Sequence, residues 1–254
     1  MKKTKVALAP FLSSCPGVTT LGIRACLGDY SEEDRRLLRR ADCVFFPTIR
    51  FVDIFQAIGE ATFPSPASYR YPRARVLQET LFQYMKLPHP RRRIYFGAGQ
   101  KQRIVGESVF PLLVMGPGMH TDSVHLVHDH AELEVCLRRH NPVLVQDYVE
   151  WKERVRLVFV RFELAGALRR VRSGSRPESF EPLPFNHPML ESPIHVSLRF
   201  MQQIQLDDTM VEWGLGTDGW QLISIARPPA RWPTTTGIVD HHLHIRDLIQ
   251  RGVL

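Results

Sequence analysis

Cysteine is scarce in this sequence, with four in 254 residues, and no two of them form a CxxC pair. That spacing is not that of a zinc finger, and Cys15, Cys26, Cys43 and Cys136 are expected as reduced, mostly buried thiols. No apolar run approaches the roughly 20 residues needed to cross a bilayer as a helix. The start, Met1-Lys2-Lys3-Thr4-Lys5, is basic, but residues 6–12 are too short and too interrupted by Pro10 for a signal-peptide core. A cytoplasmic location with no membrane partner is therefore expected. Internal repeats and low-complexity tracts are absent too. The aromatic interleaving of an RNA-binding sheet is missing, and the arginines are interspersed with acids. The net charge of +7, from 33 Lys plus Arg against 26 Asp plus Glu, thus reads as a solvated basic surface. It permits an anionic ligand, while nucleic acid is not expected as a partner.

What is present is a core. Hydrophobic residues make up 44% of the chain, enough for one large domain or two small ones. Residues 5–9 predict a first strand. Ser31 with Asp34 three positions on predicts a capped helix, its apolar face made by Leu37, Leu38 and Ala41. A buried strand follows at 43–46, so strand, helix and strand predict a small α/β unit, closed by Pro64, Pro66 and Pro72 near residue 70. Beyond it, helices are predicted at 76–86, 131–139, 188–204 and 241–250. Strands are predicted at 93–96, 110–115, 124–127 and 142–146. Hairpins are predicted from 157–160 with 163–168, and from 210–213 with 220–226. Antiparallel hairpins of this kind predict an α+β second part.

Four segments in order carry a resemblance. They are Arg75-Val76-Leu77-Gln78-Glu79-Thr80-Leu81-Phe82 with Leu87-Pro88-His89-Pro90; Phe110-Pro111-Leu112-Leu113-Val114-Met115; Val145-Gln146-Asp147-Tyr148-Val149 with Arg156-Leu157-Val158; and Val211-Glu212 with Leu222-Ile223-Ser224-Ile225-Ala226-Arg227-Pro228-Pro229. Together, over about residues 70–230, this pattern resembles the ATP-grasp superfamily, in particular its RimK-like, ribosomal-S6-modification branch of carboxylate–amine ligases. The resemblance implies an α/β pre-ATP-grasp domain over 1–70. It also implies an α+β ATP-grasp module over 71–254, with one subdomain at about 71–148 and a second at about 149–254. The reaction implied is ATP-driven. A carboxylate takes the γ-phosphoryl group, and an amine then displaces phosphate from the acyl phosphate. Such chemistry needs cationic side chains and two magnesium ions around the triphosphate.

Residue by residue, the match is partial. Two lysines of the pattern fall on Arg75, which keeps the charge with another geometry, and on Met115, whose thioether cannot replace an ammonium and which also suits a core strand end. The glycine-rich loop reads Gly116-Pro117-Gly118-Met119-His120-Thr121-Asp122-Ser123, with an acid where anion-facing amides are needed. The adenine hinge falls on Gln146, Asp147, Tyr148 and Val149. The ribose carboxylate falls on Arg154, which cannot accept those bonds, and Glu153 or Glu150 replaces it with a small slip in register. Arg156 matches the arginine facing the phosphates, with Arg169 and Arg170 nearby. Of the metal ligands only Glu212 remains, because the bridging glutamate falls on Ser224 and the asparagine on Ala226. One carboxylate does not hold two magnesium ions. Seven histidines fall in two groups, His120, His125, His128 and His130, and His241, His242 and His244; His128 with His130 on one strand face would suit zinc, though no Cys or Glu at zinc spacing accompanies them.

Two readings remain open at this point, beside a third, a nucleic-acid-binding module, that rests only on the net charge. One is a catalytically degenerate protein with residual ATP binding, no magnesium requirement, and a protein partner such as an intact ATP-grasp relative. The other is an active ligase for a peptide or amino-acid carboxylate with relocated catalytic residues.

Overall fold

The computed structural model describes residues 4–119, 123–171 and 179–254. It opens with β1 (Lys5–Ala7), β2 (Val18–Thr20), α1 (Glu32–Arg40), β3 (Cys43–Phe45), α2 (Ile49–Ala57) and β4 (Thr62–Phe63). Ser31 caps α1 in a full capping box: its side chain accepts from the Asp34 amide, and the Asp34 carboxylate accepts from the Ser31 amide. The four strands form a parallel sheet in the order β2-β1-β3-β4. Alternation along the strands feeds two cores. Val6, Leu8 and Val44 face Leu38 of α1 and Phe51 and Phe55 of α2. Ala7, Phe45 and Phe63 face the other way.

Two short connecting helices follow, α3 (Pro66–Arg70) and, after a 3-10 turn, α4 (Arg75–Tyr84). The next unit contains β5 (Arg92–Tyr95), α5 (Gly97–Lys101), α6 (Ile104–Glu107), β6 (Leu112–Met115), β7 (Val124–Val127), α7 (His130–Arg139) and β8 (Val143–Asp147). Its sheet is antiparallel in the order β5-β8-β6-β7. One face, with Leu112, Val114, Val143 and Val145, buries Leu133 and Cys136 of α7. The opposite face carries Leu113, Met115, Arg92 and Gln146.

The third unit comprises β9 (Glu153–Val160), β10 (Glu163–Val171), β11 (Ser179–Pro182), α8 (Glu191–Ile204), β12 (Asp208–Gly216) and β13 (Gly219–Ala226). Its antiparallel sheet runs β11-β10-β9-β12-β13. Val155, Leu157 and Phe159 of β9, with Val211, Trp213, Leu222 and Ile225, pack against α8 through Phe200 and Met201 and against α4 through Leu81 and Phe82. The reverse face turns Arg154, Arg156 and Glu212 outward, while Val158 and Leu168 are covered by Trp232. Trp232 belongs to a last hairpin, β14 (Arg231–Thr234) and β15 (Gly237–Asp240). The closing helix α9 (His241–Gln250) sends Ile245, Leu248 and Ile249 into the second core of the parallel sheet, beside Ala7, Phe45 and Phe63. The stretch predicted as one helix from residue 188 divides into a 3-10 turn, Pro188–Leu190, and α8 proper. Among the described residues no helix is long and apolar enough to cross a membrane.

Candidate functional site

A cleft of about 840 Å³ lies between the two antiparallel sheets, within the range of small-molecule and cofactor sites. One wall is apolar, built from Leu113 and Met115 of β6, Met119 and Val124, with Ile223 across from them on β13. The other is cationic, with Arg154 and Arg156 of β9 and Arg170 of β10. Tyr148, Val149, Glu150 and Trp151 form the segment between β8 and β9 at its rim.

The sheet periodicity explains why these side chains meet. Arg154 and Arg156 are two apart on β9, so both leave the face opposite the core residues Val155 and Leu157. Register pairs Arg156 with Glu212 of β12 and Glu212 with Ser224 of β13. An irregularity between Glu212 and Trp213 leaves Ile223 without a partner across the ladder. Such a bulge lets successive side chains, here Ile223 and Ser224, reach one side. Trp151 is seated on Gly214, where an added Cβ would stand 2.4 Å from its ring.

Electrostatics on the cationic wall centre on Glu212, which is nearly buried. Arg154 donates from Nε to Oε1 at 2.9 Å and from Nη2 to the same oxygen. Arg156 places Nε 3.5 Å from Oε2, and its guanidinium lies 3.8 Å above the Phe180 ring. That Nε makes no hydrogen bond among the described residues. Deeper in, Arg92 donates from Nε to Gln146 Oε1 at 2.6 Å and from Nη2 to the Ile223 carbonyl at 2.7 Å. Its Nη1 lies 3.6 Å from Glu79, which is fully buried and also 3.2 Å from His89. Burial pulls the Arg92 guanidinium down to about 10, with Glu79 opposing the shift, and the hydrogen bond to Glu79 raises His89. Gln78 clips α4 to β13, donating to the Ile225 carbonyl at 2.7 Å and accepting from the Ile225 amide at 3.0 Å.

The structure brings Arg75, Gln146, Tyr148, Val149, Arg156, Glu212 and Ser224 to one cleft, along with Met115 and Glu150. Arg75 reaches it while holding the glycine-rich segment: Nη1 donates to the carbonyls of Gly116 and Gly118 and to Ser123 Oγ. Three predicted residues lie elsewhere. Asp147 sits on the opposite face of β8, its carboxylate 3.9 Å from Arg91. Glu153 is held by Arg169 through two hydrogen bonds of 2.9 and 2.7 Å and lines a neighbouring pocket. Ala226 ends β13 opposite Met210.

Arg154 pairs with Glu212, whose carboxylate is engaged by both Arg154 and Arg156. The expected strand pair His128 and His130 is also corrected, since β7 stops at Val127 and His130 opens α7 with its ring against Phe110. No metal-type cluster of His, Cys, Asp or Glu occurs among the described residues, and His120 and Asp122 lie outside them. Sequence reasoning missed Arg92, Trp151 and Gln78. The signal available for Arg92 was its place two positions before Ile94 at the edge of a predicted strand, which puts both on one face.

No protein-family model and no curated protein matches this sequence. Solved structures do match in fold. The chain is similar to the ADP complex of purK, an N5-carboxyaminoimidazole ribonucleotide synthetase, with TM-score 0.63 and 11% identity over 88% of this chain and 63% of that one. It is similar to an ATP-grasp RimK domain protein from Sphaerobacter thermophilus, with TM-score 0.62 and 16% identity over 87% and 90% of the two chains. It is also similar to the ATP-grasp ligase PsnB complexed with minimal precursor, with TM-score 0.60 and 16% identity over 89% and 90%. The chain thus spans less than two thirds of the synthetase and most of the other two.

Proposed function

We propose, from the premise that this chain has the ATP-grasp fold, that it is a nucleotide-binding protein that has lost ligase turnover. The observation that supports this reading is the state of Glu212. Two magnesium ions require several hard oxygen ligands. Of the carboxylates lining the described cleft, Glu212 is held by Arg154 and Arg156, and Glu150 sits at the exposed rim. Ser224 faces Glu212 across the ladder where a second carboxylate would be needed. These residues do not fit a two-metal centre.

The shape still suits a nucleotide. Bases favour the apolar wall near Tyr148 and Val149, and phosphates favour the arginine wall. Loss of one preorganised charge contact costs about 10²–10³ in rate. The Met115, Ser224 and Ala226 positions together therefore imply a rate far below the roughly 1–100 s⁻¹ of working phosphoryl-transfer enzymes. Such losses do not simply multiply, because the groups act as a unit.

The test is calorimetric titration with ADP and ATP beside a phosphate-release assay. Saturable binding without phosphate release is expected. Steady release above a metal-free control, abolished in Glu212→Ala, would show a live ligase-type site, and absence of any nucleotide binding would remove the binding half of the reading.

A further inference from the structure

We infer that the cleft takes its phosphate ligand free of metal, with Arg154 and Arg156 in the role of the missing cations and Glu212 as an internal anion that competes for them. The inference rests on the nucleotide reading above and deepens it by naming the ionic form of the ligand.

Three observations carry it. First, Arg154 and Arg156 both converge on Glu212 from β9, with Arg154 making two hydrogen bonds and Arg156 standing at 3.5 Å. Second, the Arg156 Nε is buried and makes no hydrogen bond to any described residue, although its guanidinium is fixed over Phe180. A donor held in place in this way is ready for an acceptor that enters the cleft. Third, the other central arginine, Arg92, already serves the Glu79 carboxylate and the Ile223 carbonyl, whereas Arg156 faces Glu212 at a distance that leaves its Nε without a hydrogen bond to a described residue.

The charge arithmetic gives the direction. A guanidinium fork matches phosphate oxygens in two-point contacts. A phosphate chain that enters displaces Glu212 from those contacts or shares them with it, so Glu212 lowers the ligand's affinity. Magnesium bound to the phosphates removes two negative charges and presents a cation to two guanidiniums. Like charges brought together in a partly desolvated site repel. Magnesium should therefore weaken binding here, opposite to its effect in a site that coordinates it.

The experiment titrates the whole chain with ADP, ATP and inorganic tripolyphosphate by calorimetry, in chelator and then with excess magnesium, using wild type, Glu212→Gln and Arg156→Lys. We expect tripolyphosphate and both nucleotides to bind in chelator and magnesium to lower affinity about tenfold, equivalent to about 1.4 kcal/mol. Glu212→Gln should raise affinity by a similar factor, and Arg156→Lys should lower it while the magnesium effect persists. Magnesium that raises wild-type affinity overturns the inference, and so does a Glu212→Gln chain, folded by its thermal transition, that binds more weakly. The magnesium arm needs only the wild-type chain and decides the matter even if a variant does not fold. If tripolyphosphate binds as well as the nucleotides, the adenine reading fails and the arginine assignment stands. Nucleotide binding indifferent to magnesium and to Glu212→Gln has the reverse meaning.

Discussion

Glu79→Ala is the sharpest test of how this cleft is held in shape. Glu79 is fully buried on α4 and lies 3.6 Å from Arg92 and 3.2 Å from His89. It also accepts from Gln83 at 2.7 Å. Removing it leaves the Arg92 guanidinium, only 7% exposed, without a carboxylate. Breaking one side of a buried ion pair costs about 3–5 kcal/mol. At roughly 2–4 °C per kcal/mol for a chain of this size, the thermal midpoint should fall by about 6–20 °C.

The effect has a pH signature. The hydrogen bond to Glu79 raises His89, and a histidine whose folded pKa is raised contributes stability fully present below its unfolded pKa and lost as pH rises through the folded one. The gap between wild type and Glu79→Ala should therefore narrow from weakly acidic to alkaline pH. Scanning calorimetry over that range measures it, with Glu134→Ala as control. Glu134 pairs with Arg138 on the exposed face of α7 and should shift the midpoint by no more than about 2 °C. A Glu79→Ala loss no larger than the control would refute the argument that this cluster is a desolvated strut of the site.

Two further variants address other parts of the fold. Burial pushes the Asp207 carboxyl up to about 6 from 3.8, against hydrogen bonds from the Ser65 amide and Ser68 Oγ. A raised carboxyl favours the folded state at low pH, and that contribution is lost as pH rises from 3.8 to about 6. Asp207→Asn should then gain about 3 kcal/mol on wild type at pH 7 and show no gain near pH 3.5. A difference independent of pH in denaturant titrations would contradict this. Gly214→Ala places a Cβ 2.4 Å from the Trp151 ring and should cost about 1–3 kcal/mol while shifting tryptophan emission. An unchanged spectrum and melting curve would mean that Trp151 is not seated there.

Local signals proved legible where they were dense. The Ser31–Asp34 box, the helix from Arg75, and the hairpins around β9–β10 and β12–β13 all follow from capping and alternation. The hairpin β14–β15 was not read, because Pro233 within Arg231–Thr234 argues against a strand; it is tolerated in a two-stranded ribbon. Strands of two or three residues such as Thr62–Phe63 are too short to show a period. At the site, the departures of Met115, Ser224 and Ala226 from the motif pattern are readable from residue type. The charge pairing around them is not. Arg154 meets Glu212 across 58 residues of sequence through strand register, and Glu153 is diverted to Arg169 by a different pair of strands. Neither partner choice has a local signature.

The placement of α9 bears on how the protein is made. β1 cannot finish its second core until Ile245, Leu248 and Ile249 arrive, and Lys5 reaches the Ile249 carbonyl 244 positions away. On the ribosome the first sheet is therefore synthesised long before the surface that covers it. For that interval Ala7, Phe45 and Phe63 present an uncovered apolar face, of the kind that chaperones bind and that promotes aggregation when synthesis stalls. A pulse of protease during translation should find the N-terminal 60 or so residues cleavable until the last helix emerges, and protected almost at once thereafter.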